Sequence, residues 1–282
     1  MQSKASTTHF LFILHFSVIY RERGRERERE SQVSQVEKER RKERKMACFV
    51  PFNNKNLEIS FYAFRPMVVL VDELLDALKH FSLSTSSLGC LHSAVFRSIH
   101  GNMIIWYGAW MKRSNENKKL LNATLLSMLA NVSSMAILVD HSFSDACVGE
   151  SRDGSSAVRF STGDTISMNA IILPKDDDIN DLPYACLAIF RSRFAKMDGA
   201  VSGVCFKCQN QKQTRAVSLF VWKSLQLCYS WILTSDYRKT ILPYFDNLPL
   251  QFKYDIFRVV YVSSDDVLNF QSNLSSSSNV EK

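Results

Sequence analysis

Seven cysteines lie in the 282-residue chain, and two of them are spaced as a pair, Cys205-Phe-Lys-Cys208. Such a pair can supply half of a tetrahedral zinc site, whose other soft donors commonly come from a second pair or from histidines. No second CxxC and no HxxxH occurs, so Cys186, Cys228 or His141 would have to be brought in by the fold. A redox pair of the thioredoxin kind wants its first cysteine at a helix start, whereas Cys205 stands near the end of a predicted strand. The pair therefore reads first as ordinary cysteines, one facing a core and one facing solvent or a loop, with no cofactor. Zinc binding or thiol redox chemistry at Cys205 and Cys208 is the alternative.

Histidine titrates near neutral pH, which makes His92, His100 and His141, the last beside Asp140, the candidates for acid/base work. His100 is better placed in a turn with Gly101. There is no G-x-S-x-G elbow and no glycine-rich phosphate loop, and nine glycines in the whole chain leave little material for one. Asp176 to Asp178 lack the spacing and glycine of a calcium loop and read as a solvated acidic segment. No catalytic residue is assigned, and the chain leans away from enzymes. Trp106 and Trp110 share one face of a predicted strand, and an exposed aromatic face of that kind would suit a protein partner. Sequons at Asn122 and Asn131 matter only in a secreted chain.

The net charge of +7 and pI near 9.0 invite a nucleic-acid reading. The first 45 residues hold 12 of the 35 Lys+Arg and 7 of the 28 Asp+Glu, so the remainder carries 23 basic against 21 acidic residues. That balance gives no compositional case for a phosphate-binding surface. Within those 45 residues, RERGRERERE is what a GA dinucleotide repeat encodes. The economical reading is a gene model extended upstream of a start at Met46. The 12-residue apolar run His9 to Tyr20 has only Lys4 before it and no small-x-small cleavage site after it, so secretion is not expected. No stretch is long and apolar enough for a membrane helix, and the expected location is the cytoplasm or nucleus.

The elements that would position these residues can be read from periodicity. Leu57 to Phe64 predicts a strand. Val68 to Phe81 has three-four apolar spacing and predicts a helix, ended by the polar run SLSTSS. Cys90 to Ile99 and Asn102 to Met111 predict a hairpin turning at His100-Gly101. Asn115 to Met135 carries the clearest helical stripe, and Ala136 to Phe143 a strand. Ala157 to Ser161 and Asp164 to Leu173 predict a second hairpin at Thr162-Gly163. Leu182 to Met197 predicts a helix and Val201 to Cys208 a strand. Arg215 to Trp222 is either a strand or the opening of a helix to Leu233. Tyr237 to Leu248 predicts a broken helix, Phe252 to Val262 a closing strand, and the serine-rich tail a disordered end.

This order predicts an α+β fold of antiparallel sheet with packed helices. Its opening helix-hairpin-helix order is similar to roadblock-like and longin-like modules. The domain expected is 46–271, with a subdomain seam near 174–182, preceded by 1–45 and followed by a tail over 272–282. No internal repeat is visible in the residues.

The segments MACFVPFNNKNLEISFYAFRP, SIHGNMIIWYGAWMKRS and KYDIFRVVYVS resemble a plant-specific protein family that is a domain of unknown function, with the likeness running from about Met46 to Gln271. The resemblance brings no catalytic or binding residues with it. The resulting expectation is an intracellular, non-enzymatic domain that binds another protein, with neither nucleic acid nor membrane as partner.

Overall fold

A computed structural model describes residues 47–52, 54–101, 103–174, 192–209, 213–235 and 251–263. Ten strands are present: β1 (Ala47–Pro51), β2 (Leu57–Pro66), β3 (Cys90–Ser98), β4 (Ile104–Met111), β5 (Ala136–Ser151), β6 (Ala157–Ser161), β7 (Thr165–Pro174), β8 (Ala200–Gln209), β9 (Gln213–Trp222) and β10 (Gln251–Val262). Among the described residues they are accompanied by the α-helices α1 (Val71–Ser86), α2 (Asn115–Met128) and α3 (Leu225–Thr234). No helix among the described residues is long and apolar enough to cross a membrane.

The strands alternate side chains between two faces, and both faces of the central sheet are apolar. In β2, Leu57, Ile59 and Phe61 belong to one buried cluster, while Tyr62 and Phe64 belong to another. A sheet buried on both faces must be covered twice. Here one face is covered by the sheet's own curvature. Eight strands close into an antiparallel barrel in the order β10-β3-β4-β2-β5-β8-β9-β7, which leaves no unpaired edge. The other face of the first half lies under α1 and α2.

The barrel is built from two runs with one topology. The first, β2-α1-β3-β4-α2-β5, is the split β-α-β motif called ferredoxin-like, with sheet order β3-β4-β2-β5. The strands β7, β8, β9 and β10 repeat that order as β8-β9-β7-β10, and α3 falls between β9 and β10 as α2 falls between β4 and β5. The last strand of each run pairs with the second strand of the other. Thus β5 meets β8 from Asp145↔Lys207 to Ser151↔Ser202, and β10 meets β3 from Phe257↔Ser98 to Val262↔Ala94.

This corrects the expectation of an α+β fold of antiparallel sheet with packed helices, since the sheet closes into an eight-stranded barrel, and with it the roadblock-like or longin-like module and the expectation of no repeat. The first run does contain a helix-hairpin-helix order, but strand order alone does not say that a sheet closes on itself. The predicted hairpin over 157–173 also differs. β6 and β7 follow one another without pairing, since β6 pairs with β1 and β7 with β9 and β10. The serine-rich run expected to end the first helix is instead its last turn. Ser82 Oγ donates to Leu78 O, Ser84 Oγ to His80 O, Thr85 Oγ1 to Ser82 O and Ser86 Oγ to Leu83 O. Those back-bonds satisfy hydroxyls that would otherwise compete with the helix. Arg215 to Trp222 is a strand, with the helix starting only at Leu225. The predicted helices over 182–197 and 237–248 lie largely or wholly outside the described residues, as does the tail.

The barrel interior is filled by the two-stranded ribbon of β1 and β6. Cys48, Val50, Phe52, Val158 and Phe160 are buried in the same cluster as Ile59, Phe96, Tyr107, Phe206 and Leu219. Phe160 packs edge-on against Phe96 at 5.4 Å and Tyr107 at 5.6 Å between ring centroids. The ribbon approaches β5 so closely that a Cβ on Gly149 would meet the Phe52 ring at 1.9 Å, so this position admits only glycine.

Candidate functional site

The predicted aromatic face is not a surface. Trp106 and Trp110 are each 0 % exposed and lie between the sheet and the helices. Their polar tips are satisfied internally: Trp106 Nε1 donates to Ser82 Oγ and Trp110 Nε1 to Ser60 Oγ, both at 2.8 Å. Tyr62 completes the layer, donating from its hydroxyl to Asn122 Oδ1 at 2.8 Å. Buried indoles and phenols need such partners, and these three find them. The first half's helix–sheet space is therefore closed by side chains. Outside it, a groove of about 320 Å³ runs beside Leu88, Arg113, Leu120 and Leu121. Its one charge is occupied, because Arg113 donates to Leu88 O and lies over the Trp110 ring.

Cys205 and Cys208 do not converge. Both are buried, at 1 % and 4 % exposed, which departs from the expected division between core and solvent. The alternation of β8 puts them on opposite faces, since Phe206 between them belongs to the barrel interior and Cys208 approaches interior side chains of β5. Among the described residues no group of three or more His, Cys, Asp or Glu gathers as metal ligands.

The three histidines have separate settings. His100 lies at the predicted turn, edge-on to Tyr229. His141 is exposed and stacks on Tyr62 with centroids 5.7 Å apart. His92 is half-buried against the ribbon: its Nε2 lies 2.6 Å from Phe49 O, and its buried Nδ1 has no partner. With Nε2–H donating to the Phe49 carbonyl, the imidazole latches β1 to β3. Tyr107, whose ring is 6.0 Å away, is its interior neighbour.

Burial pushes the His92 pKa down to about 4. Because the folded value lies below the unfolded value near 6.5, the folded chain binds fewer protons between these limits. This contribution to stability is fully present above about pH 6.5, falls as the pH drops towards 4, and levels off below that. The loss expected is roughly 3 kcal/mol. Denaturant unfolding at a series of pH values should show this slope in the native chain and lose it in His92→Gln; an equal slope in both would refute the assignment.

At the end of the barrel away from the ribbon, the interior wall becomes polar. Asp140, Ser142 and Ser144 alternate along β5 opposite Ala63, Phe61 and Ile59 of β2, which fixes them on the inner face. Arg215 of β9 pairs in register with Cys208 of β8 and forms an ion pair with Asp140 across the barrel wall. Arg215 is 8 % exposed, while the Asp140 side chain is 36 % exposed and marks the way to solvent. These groups surround the Cys208 thiol. Burial raises its pKa, against the opposing pull of Arg215 and of the Ser144 and Ser142 hydroxyls, and Asp140 adds to the rise. The Ser144 hydroxyl bonds the Cys208 thiol, whereas Arg215 Nε is buried with no hydrogen-bond partner. Of this cluster, sequence reasoning singled out Asp140 and Cys208. Arg215 and the serines carry no motif, and only the period-two alternation of β5 could have hinted at a polar inner face.

A model of a domain of unknown function, DUF7392, matches residues 142–257, which run from β5 into β10. No curated protein matches the chain in sequence. Among solved structures, the chain is similar to an anthrone oxidase-like protein, with a TM-score of 0.63 and 11 % identity over 76 % of this chain and 95 % of that one. It is also similar to a putative monooxygenase from Fusobacterium nucleatum, with a TM-score of 0.52 and 11 % identity over 74 % of this chain and 94 % of that one. At such identity the likeness establishes the fold alone, and it overturns the roadblock-like and longin-like expectation.

Proposed function

We propose that the chain binds a neutral, oxygen-bearing aromatic small molecule at the polar end of its barrel. The observation that carries this reading is the buried, unpartnered Arg215 Nε, close to the Ser144 hydroxyl that bonds the Cys208 thiol. Leaving a buried polar atom unpaired costs about 1–3 kcal/mol, so the Arg215 Nε–H favours an occupant with an oxygen that accepts from it. Asp140 neutralises Arg215, which leaves donor capacity without net charge. A carbonyl or phenol oxygen suits that environment better than a phosphate. Ala63, Met103 and Ala170, partly buried against the interior cluster near the same end, offer an apolar wall for the rest of such a molecule.

The fold likeness to an anthrone oxidase-like protein makes anthrone, a planar aromatic ketone, the first probe. Titration of the full chain with anthrone, followed by tryptophan fluorescence, should show saturable binding. Arg215→Lys retains a cation opposite Asp140 but loses the Nε–H, so affinity should fall by about ten- to a hundredfold, the worth of a hydrogen bond to a charged group. Absence of saturable binding, or equal affinity in Arg215→Lys, would overturn the proposal. Consumption of O₂ with formation of anthraquinone and water would extend the reading from binding to oxidation. A protein-binding role would need a surface other than Trp106 and Trp110, because both are buried.

A further inference from the structure

We propose that Cys147 and Cys205 are a peroxide-oxidisable dithiol whose disulfide ties together the two halves of the barrel. The placement follows from an irregularity in β5. Ala146 pairs with Phe206 and Val148 pairs with Cys205, so Cys147 is an extra residue inserted between two ladder partners. A bulge of this kind sets two successive residues opposite one and suspends the usual alternation. Ala146 packs on the barrel interior and Gly149 faces the ribbon's Phe52, so both flank the irregularity on the inner side. Cys147 is thereby turned outward, on the same side as Cys205.

The Cys147 Sγ lies 3.1 Å from the Cys205 carbonyl oxygen, and the two thiols are in hydrogen-bonding contact. Adjacent antiparallel strands hold facing residues at Cα separations that a disulfide can span. Cys147 is exposed and Cys205 is buried, so an oxidant reaches one sulfur while the other waits behind it. The Cys147 pKa is lowered, first by the hydrogen bond from the Cys205 side chain and further by the charge of Lys207, which favours the nucleophilic thiolate. The pair joins β5 to β8, the seam where the first topological run meets the second.

With hydrogen peroxide as oxidant, the Cys147 thiolate attacks one peroxide oxygen. The O–O bond breaks, and the departing hydroxide takes up a proton to become water, leaving a sulfenic acid on Cys147. The Cys205 sulfur then attacks the Cys147 sulfur, the S–O bond breaks, and the departing hydroxide leaves as water with the Cys205 proton. Two thiols and one peroxide give one disulfide and two waters.

The full chain is treated with hydrogen peroxide, blocked with a thiol alkylating agent, digested and mapped by mass spectrometry. The expected product is a cross-linked peptide pair containing Cys147 and Cys205, lost on addition of dithiothreitol, together with a raised thermal midpoint of the oxidised chain. In Cys205→Ala the disulfide should vanish, and dimedone should label Cys147. In Cys147→Ser, an exposed and conservative change, neither product should form. Both cysteines still alkylated after peroxide, or either one preferring another partner in the native chain, would overturn the proposal. Dimedone labelling of Cys147 in the native chain equal to that in Cys205→Ala would do the same, because it would mean that Cys205 does not resolve the sulfenic acid.

Discussion

Trp106→Ala is expected to lower unfolding free energy by about 3–5 kcal/mol, the range for removing a buried large aromatic side chain. The indole is fully buried, packs edge-on to Phe81 at 4.8 Å and to Tyr62 at 5.8 Å, and lies against Gly108, where a Cβ would meet its ring at 2.4 Å. Its removal empties the centre of the layer between α1 and the sheet. It also strips Ser82 Oγ of the donor that it accepts from. Trp106→Phe retains part of the ring volume and should cost less than the alanine change. Chemical denaturation of the three chains gives the comparison, and a loss under about 1 kcal/mol for the alanine variant would mean that the indole is not buried.

The second large effect concerns the ribbon inside the barrel. Phe160→Ala is expected to cost about 3–5 kcal/mol, because the ring is fully buried between Phe96 and Tyr107. Phe49 lies on the same ribbon, opposite Arg159 in the register, but is 41 % exposed with the Arg159 guanidinium over its ring. Phe49→Ala should therefore cost under about 1 kcal/mol. The contrast between two phenylalanines on one small sheet distinguishes a ribbon threaded into the barrel from one lying on its outside. Equal losses, measured by thermal or denaturant unfolding, would contradict the threaded arrangement.

Most of the regular elements were legible because their determinants are local. The three-four spacing from Val71 to Phe81 has no good alternative to an amphipathic helix, and the Gly101 turn, with φ of +77°, closes β3 onto β4 as its flanking residues require. The misreadings fall where a local signal has two outcomes. A run of serines can leave a helix or bond back into it, and α1 takes the second course. The 157–173 segment has a turn and two strand-like runs, but the partner of each run is remote. The partner of β6 is β1, whose five residues resembled a family signature and gave no periodicity to read.

The sequence alone therefore determined the order and type of most elements, the near-neutral balance of the chain beyond residue 45, and the absence of familiar catalytic motifs, since each depends on neighbouring residues or on composition. Tertiary structure decided which way the sheet curves, what fills it and which polar residues meet. Closure requires β10 to find β3 and β5 to find β8, pairings that depend on shape summed over the whole sheet. The tryptophans could be read as an exposed face because strand alternation assigns residues to a side without saying what covers it. Asp140 and Arg215 are 75 residues apart, and Cys147 and Cys205 are 58 apart. No spacing rule joins either pair, because the barrel wall, and in the second case one inserted residue in β5, brings them together.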